Sequence, residues 1–389
     1  MMNTPDQYYV TIERAASGGY GITYIEGKIV FVEGGIPDEK VVIEITADKK
    51  DFSFAKIISV ISESQHRVSP ICPIFDLCGG CVYQNISYEF ELELKKNILI
   101  DNLKRIAKIH PDYLPEIETI FSERFFYRSH GRFFIRGGAI CSITKKSHDF
   151  VPLPETGCAI MHPLINDFIK GNSFNTNSAG ELRIAVSSQG EIFTDEDDDK
   201  EFCELELGFK YMRNIYNFFQ SNIYMRSEML EKVKKFSDIG KNNTFIDIAC
   251  GIGFFTIPLA QHSKYGIGID ANLKNIESAK KNCMLNEVSN LSFICDNFQD
   301  IGYIPSDCHP KTVIIDPPRL GLELSAINSI IDLKPKTIVY VSCNPSIFAR
   351  DLKVFIAHNY YLEKLNLLDC FPCTHHIELI GKIIRNDKT

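Results

Sequence analysis

No run of apolar residues in the 389-residue chain is long enough to span a bilayer as a helix. The first ten residues, MMNTPDQYYV, lack the basic and apolar regions of a secretory signal. These absences exclude a helical membrane protein and lead us to expect a cytoplasmic one. Excess positive charge is missing too, with a net charge of −8. That argues against a globally basic nucleic-acid binder, because phosphate contacts need Lys and Arg. A sum over the chain does not describe one face, however. Asp195, Glu196, Asp197, Asp198 and Asp199 form an acidic run, expected as a solvated hairpin tip. Without it the balance is nearly neutral. The 13 cysteines are an odd number. In a reducing compartment they are not a disulfide framework, which leaves free thiols, a metal centre or a nucleophile.

What is present suggests two or three domains with apolar cores, since 44% of the residues are hydrophobic. Residues 6–66 read as a small all-β unit. Tyr9-Val10-Thr11-Ile12, Lys28-Ile29-Val30-Phe31-Val32, residues 40–45 and residues 54–60 are strand-like and separated by Gly/Pro turns. This spacing predicts a small barrel of oligonucleotide-binding type, which serves either as scaffold or as RNA binder. Next, Cys72, Cys78 and Cys81 lie within ten residues among glycines. Zinc and iron–sulfur sites both take four thiolates, and Cys141 and Cys158 are candidates for the fourth. Spacings of five and two do not match paired zinc knuckles. Residues 89–108 have the apolar spacing of an amphipathic helix, with glutamates and lysines between. Residues 117–210 are irregular and rich in short strands. Helical patterning returns at residues 225–236.

From Thr244 the pattern is βαβ. Thr244-Phe-Ile-Asp-Ile is a strand, and Ala249-Cys250-Gly251-Ile252-Gly253 a glycine turn before a helix. Further strands end at Asp270, at Cys295 ahead of Asp296-Asn297, and at Asp316 ahead of Pro317-Pro318-Arg319. This alternation predicts a doubly wound α/β sheet. A glycine turn with an acidic residue ending the next strand can hold a ligand's ribose. The third glycine of a dinucleotide fingerprint is absent. The shorter turn favours S-adenosylmethionine, which has no pyrophosphate. With Asp316-Pro317-Pro318 at another strand end, the constellation reads as a methyltransferase.

The fifth strand, around Ile338-Val339-Tyr340-Val341, is stopped by Asn344-Pro345, and Ser346 could cap the helix that follows. Cys343 thus stands just past a strand's carboxyl end, where open α/β sheets do their chemistry.

The chain resembles the RNA uracil-5-methyltransferase family nearly end to end. The pattern GYGITYIEGKIVFVEGGIPDE of residues 19–39 resembles the TRAM domain of RNA-modifying enzymes. The catalytic motifs are D-P-P-R-x-G from Asp316, Y-V-S-C-N-P from Tyr340, A-R-D-L from Ala349 and D-C-F-P-C-T-H-H-I-E from Asp369, preceded by F-F-Q-S-N at Phe218. The resemblance implies a TRAM-like RNA-binding barrel over 1–66, a central α+β domain carrying an iron–sulfur cluster over 67–217, and a Rossmann-like methyltransferase domain over 218–389. Helix 89–108 is expected to pack on that last domain. Cys343 would be the nucleophile and Glu378 the general base, with His375 and His376 as rivals for the base. Gln220, Asp270 and Asp316 would line the S-adenosylmethionine pocket, with Asn297, Ala249, Gly251 and the turn's backbone touching it.

The segment Ser147-His148-Asp149 followed by Cys158 matches the one that supplies the fourth ligand. Cys72, Cys78, Cys81 and Cys158 would then hold a [4Fe-4S] cluster and Cys141 would be a bystander. Members without the cluster cysteines include transfer-RNA enzymes, so 23S ribosomal RNA is the favoured substrate, with tRNA the alternative. Cytosine-5 methylation and RNA binding without catalysis are further alternatives. A monomer is expected. The sequence departs from the family's usual residues at Ala249, Phe254 and Asp270.

Overall fold

The computed structural model describes residues 7–145, 147, 149–172, 180–197, 200–297 and 309–387. His148, Asp198 and Asp199 lie outside them. Among the described residues no helix is long and apolar enough to cross a membrane.

Strands β1 (Gln7–Thr11), β2 (Arg14–Ala16), β3 (Tyr20–Ile25), β4 (Lys28–Glu33), β5 (Lys40–Asp48) and β6 (Phe52–Ser62) form one sheet in the order β1-β5-β6-β4-β3-β2. Alternate residues, among them Val10, Val30, Val32, Val41 and Ile43, turn inward to one core. The strand-like runs of the sequence did not include β2 or β3. Gly21 explains the second omission. A Cβ there would sit 2.6 Å from Ile12 Cγ2 and 2.8 Å from the Gly35 carbonyl oxygen, so close packing demands glycine in mid-strand.

Helix α1 (Tyr88–Arg105) starts at Ser87, whose hydroxyl accepts the Phe90 N–H. Ile98, Leu99 and Leu103 reach the core of the large sheet described below. Strand β7 (Ile117–Ile120) joins that sheet's edge. Strands β8 (His130–Arg136), β9 (Ala139–Ile143), β10 (Phe150–Pro152), β11 (Gly180–Val186) and β12 (Ile192–Thr194) form a separate sheet, covered by α2 (Pro163–Gly171). The acidic run is more engaged than a solvated tip. Asp195 Oδ2 accepts the Arg183 N–H at 2.6 Å and Asp197 pairs with Lys200. β13 (Phe202–Glu206) and β14 (Phe209–Arg213) pair as a hairpin, and α3 (Arg226–Ser237) leads into the large sheet.

That sheet continues with β15 (Thr244–Ile248), α4 (Thr256–Ala260), β16 (Tyr265–Asp270), α5 (Leu273–Leu285), β17 (Leu291–Cys295), β18 (Thr312–Ile315), α6 (Leu324–Asp332), β19 (Thr337–Ser342), α7 (Pro345–Ala357), β20 (Tyr360–Leu368) and β21 (Glu378–Arg385). Its order is β17-β16-β15-β18-β19-β21-β20-β7. The first five strands are parallel, and β21 runs antiparallel to both neighbours. Both faces are covered, which is why the strands read as continuous apolar runs. Ile246, Val313, Ile338 and Tyr340 pack with α1, α6 and α7, while Phe245, Ile314, Val339 and Val341 pack with α3 and α4.

Candidate active site

Cys343 is held between the end of β19 and the start of α7. The helix is capped by Asn344, whose Oδ1 accepts from the N–H groups of Ser346 (3.2 Å) and Ile347 (3.4 Å). This corrects the expected cap at Ser346. Pro345 already has the φ of a first helical residue and needs no N–H partner, so the helix opens earlier. Strands β19 and β21 pair with Val341 opposite Ile380 and Ser342 opposite Leu379. Cys343 directly follows Ser342, and Glu378, the first residue of β21, directly precedes Leu379 and pairs with Leu368 of β20. Glu378 is 5% exposed and Cys343 half-buried.

The local field explains how these groups titrate. Burial, then Asp316, pushes the Glu378 carboxyl well above the usual range, against the pull of Arg319. Burial, then Glu378, raises the Cys343 thiol to about 11, again opposed by Arg319. Asp316 is pushed to about 7 by burial. Arg319 is therefore the cation that favours the charged forms of both Cys343 and Glu378. The sequence reading passed over it, although it stands in the motif after Asp316. Its Nη2 lies 3.4 Å from His376 Nε2. Burial, His375 and Arg319 depress His376 to about 3, and burial and Arg319 lower His375. Both imidazoles are neutral near pH 7.

On the parallel side, Ala249, Gly251 and Gly253 all take positive φ, at 61°, 55° and 92°. The two glycines differ in use. A Cβ at Gly251 would meet nothing within 4 Å, so that side of the turn is open to a ligand. A Cβ at Gly253 would press on Ile257 Cδ1 at 2.9 Å, so that glycine serves packing. Asp270 Oδ2 accepts the Gly251 N–H (3.0 Å), and its Oδ1 accepts from Asn272 N (2.8 Å) and Asn275 Nδ2 (3.2 Å). Asn272 and Asn275, which the sequence reading did not single out, also line a cleft of about 500 Å³ with Asn214, Tyr216 and Asn217. Gln220 is buried, and its carbonyl accepts from Arg226 Nε at 2.8 Å. Arg226 is itself fixed by Glu204 (3.1 Å) and Ser129 (2.8 Å). Ala249, Asp270, Asn297 and Asp316 all stand at strand ends along the sheet edge that bears Cys343.

The cysteines gather elsewhere. Cys72, Cys81 and Cys158 share an apolar cluster with Phe75, Tyr127 and Ile160. Burial first, then neighbouring thiols that include Cys78, raises Cys72, Cys158 and Cys81, the last to about 12. Backbone N–H groups point at the sulfurs, from Gly80 to Cys78 Sγ at 3.4 Å and from Ile160 and Met161 to Cys158. Cys141 is buried in β9 and is not coupled to these thiols. Among the described residues no three His, Cys, Asp or Glu side chains converge as ligands of a single ion.

Residues 182–385 match the family model of tRNA (Uracil-5-)-methyltransferase, and residues 6–58 that of the TRAM domain. A protein of Caldanaerobacter subterraneus named as an uncharacterized RNA methyltransferase is 30% identical, over 96% of this chain and 97% of its own. The 23S rRNA (uracil(1939)-C(5))-methyltransferase RlmD of Photobacterium profundum is 26% identical, over 97% of this chain and 93% of its own. The crystal structure of Pyrococcus abyssi tRNA (uracil-54, C5)-methyltransferase, in complex with S-adenosyl-L-homocysteine, superposes with a TM-score of 0.73 at 22% identity, over 97% of this chain and 100% of that one. That likeness is one of fold. With one family model spanning more than half of its length and a 30%-identical relative nearly all of it, the chain belongs to the tRNA (uracil-5-)-methyltransferase family and carries an N-terminal TRAM domain.

Proposed function

We propose that this enzyme transfers the methyl group of S-adenosylmethionine to carbon 5 of a uridine in 23S ribosomal RNA, through a covalent Cys343–uracil intermediate. The observation that carries the reading is that Cys343 and the buried Glu378 adjoin the last β19–β21 pair, Ser342 with Leu379, and that Glu378 acts on the Cys343 thiol. Carbon 5 of uracil is a poor nucleophile. Addition of the Cys343 thiolate at carbon 6 moves electron density onto carbon 5, which then accepts a methyl group. Bound S-adenosylmethionine would supply that methyl from its electrophilic sulfonium, the sulfur keeping the electron pair of the broken S–CH3 bond and leaving as S-adenosylhomocysteine. Glu378 then takes the proton from carbon 5, and the electron pair left behind expels the thiolate. Burial raises the Glu378 carboxyl and so makes its ionised form a stronger proton acceptor. Cysteine suits the first step because its thiolate is a strong nucleophile and a good leaving group. Arg319 favours the thiolate against the burial that raises its pKa.

Asp270 holds the cofactor's ribose in this reading, and Gln220, Ala249, Gly251, Asn297 and Asp316 line its pocket. The open face at Gly251 supports that assignment. The target base must leave its stack to reach Cys343, so the TRAM domain and the central segment hold flanking RNA.

Cys72, Cys78, Cys81 and Cys158 hold a [4Fe-4S] cluster in the same reading. Neighbouring thiols act on Cys72, Cys81 and Cys158, and N–H groups point at the sulfurs of Cys78 and Cys158, as thiolate ligands of a cluster require. Its role is structural. Anaerobically purified protein should contain about four irons per chain. Cys158→Ser should lose them and Cys141→Ser should keep them; the reverse pattern, or stoichiometric zinc, would reject the ligand set.

The named RlmD relative supports ribosomal RNA, while the name of the family model and the Pyrococcus fold favour tRNA as the second reading. Mapping 5-methyluridine in RNA from a strain lacking this gene decides between them. Loss from 23S RNA alone supports the first, and loss from tRNA alone the second. Labelled methyl donor with uracil- and cytosine-containing RNA tests the base.

A further inference from the structure

The glutamates and lysines of α1 look from their spacing like a solvated face, yet Glu91 and Lys95 are fully buried, as is Asp369 just past β20. Lys95 Nζ donates to Glu91 Oε1 (2.8 Å), Asp369 Oδ1 (2.7 Å) and the Phe371 carbonyl (3.1 Å), which uses all three of its protons. Glu91 Oε1 also accepts the Cys373 N–H at 2.7 Å. One turn of α1 therefore grips the loop at residues 369, 371 and 373. Burial works against the Lys95 ammonium, but the two carboxylates outweigh it and raise its pKa.

The same loop is held from its other side. The Cys373 carbonyl accepts the N–H groups of Val82 (2.8 Å) and Tyr83 (3.0 Å), next to Cys81. Tyr127 Oη donates to the Pro372 carbonyl at 3.0 Å, and Asn222 Nδ2 to the Cys370 carbonyl at 3.0 Å. Cys373 is kept at φ 66°, a left-handed conformation that a non-glycine residue takes only when its surroundings fix it. The Phe371 ring meets His376 edge-on, and His376 faces Arg319. Two residues beyond His376 the loop delivers Glu378. A fold alone does not need such a network, because a buried ion triad can often be replaced by neutral groups of similar volume without loss of stability.

We propose that Lys95 is a positioning residue for the base: by fixing the loop at 369, 371 and 373 it sets where β21 begins, and hence where the Glu378 carboxyl stands against Cys343. This rests on the reading of Cys343 as nucleophile and Glu378 as base. The charge triad thus acts on proton removal and product release, and leaves RNA binding and thiol addition unaffected.

The test compares wild-type holoenzyme, Glu378→Gln, Lys95→Met and the triple variant Glu91→Gln/Lys95→Met/Asp369→Asn. Lys95→Met leaves the buried Asp369 without its cation, while Glu91 keeps Arg124 Nη2 at 3.5 Å, and the variant is expected to unfold easily. The triple variant removes the charges of Glu91, Lys95 and Asp369 and keeps an acceptor for the Cys373 N–H; Arg124, 3.5 Å from Glu91 Oε2, retains the Tyr83 and Ile86 carbonyls as acceptors. Its unfolding midpoint and its KM for RNA and for S-adenosylmethionine should stay within about twofold of wild type. The methylated, denaturation-resistant adduct should form at the wild-type rate but decay about 10–100-fold more slowly, the scale of a small misplacement of a catalytic group. A triple variant that releases product at the wild-type rate overturns the proposal, and so does one that loses adduct formation and release in equal measure. So would a folded Lys95→Met with normal release. If wild type itself makes no adduct, or Glu378→Gln is indistinguishable from wild type, the assigned reaction fails instead.

Discussion

The two halves of the large sheet reach the same edge by opposite rules. From β17 to β19 the strands are parallel, and Ala249, Asp270, Asn297, Asp316 and Cys343 each stand at, or within two residues past, a strand's carboxyl end. In the other half β21 runs antiparallel, and its first residue, Glu378, adjoins the pair of Leu379 with Ser342, next to Cys343. A parallel strand can present only its end to that edge, followed by a turn and a helix. An antiparallel strand presents its beginning, so the loop before it decides where its first side chain stands. The parallel half is thus fixed by local turns, such as the positive-φ residues of 249–253. The antiparallel half depends on contacts distant in sequence, such as Lys95 with Asp369.

The strongest way to break this comparison is to remove one group from each half. Cys343→Ala should abolish both methylation and the covalent enzyme–RNA species, since no nucleophile remains. A gel with labelled RNA checks this; an adduct that persists would point to another thiol, with Cys370 and Cys373 nearest in the motif. Glu378→Gln should fail later. It should still add and methylate but release on the order of 10²–10⁴-fold more slowly, the usual contribution of a general base. Absence of any adduct in that variant would mean that Glu378 acts before addition.

A smaller effect sharpens the parallel half. Asp270→Ala should weaken S-adenosylmethionine binding by roughly 1.5–3 kcal/mol, the range for hydrogen bonds to a charged group, with little change in RNA affinity. Titration calorimetry measures both. Unchanged donor affinity would leave Asp270 with only its bonds to Gly251, Asn272 and Asn275.

The same division decided what could be read from sequence. The parallel strands are mostly apolar runs, and those ending at Ile248, Ile315 and Ser342 are followed within three residues by glycine or proline. Cys343, Asp270 and Asp316 are marked by position in such runs. Glu378 is not. Its place beside Cys343 needs the β19–β21 register, which no local pattern encodes, so only the motif shared with the family pointed to it. Arg319 was legible as a motif residue but not as the site's cation, because that depends on which buried groups surround it. Glu91 and Lys95 look like a helix's wet face at i,i+4; their burial follows from Asp369, 274 residues away from Lys95 in the chain. β3 was hidden by Gly21, which packing requires and propensity disfavours.

An effect on stability, not on chemistry, lies beneath the cofactor turn. Asp247 is wholly buried in β15, where its Oδ2 accepts the Thr256 hydroxyl at 2.5 Å while Oδ1 has no partner. Burial raises its pKa from 3.8 to about 7, with Asp316 and Asp270 adding to the rise and Thr256 opposing it. The folded state therefore keeps a proton that the unfolded chain releases near pH 4. The stability this group contributes is complete below the unfolded pKa and is lost as pH rises through about 7, with a slope of at most ~1.4 kcal/mol per pH unit. Asp247→Asn cannot ionise. Between pH 5 and pH 8 its stability should fall less than that of wild type, as read from urea midpoints without cofactor. Asp316 and Glu378 remain in both proteins, so the difference between the two curves isolates Asp247. Parallel curves would show that Asp247 keeps an ordinary pKa in the folded state. The groups at the sheet edge that burial raises would then still include Cys250, Asp316, Cys343 and Glu378.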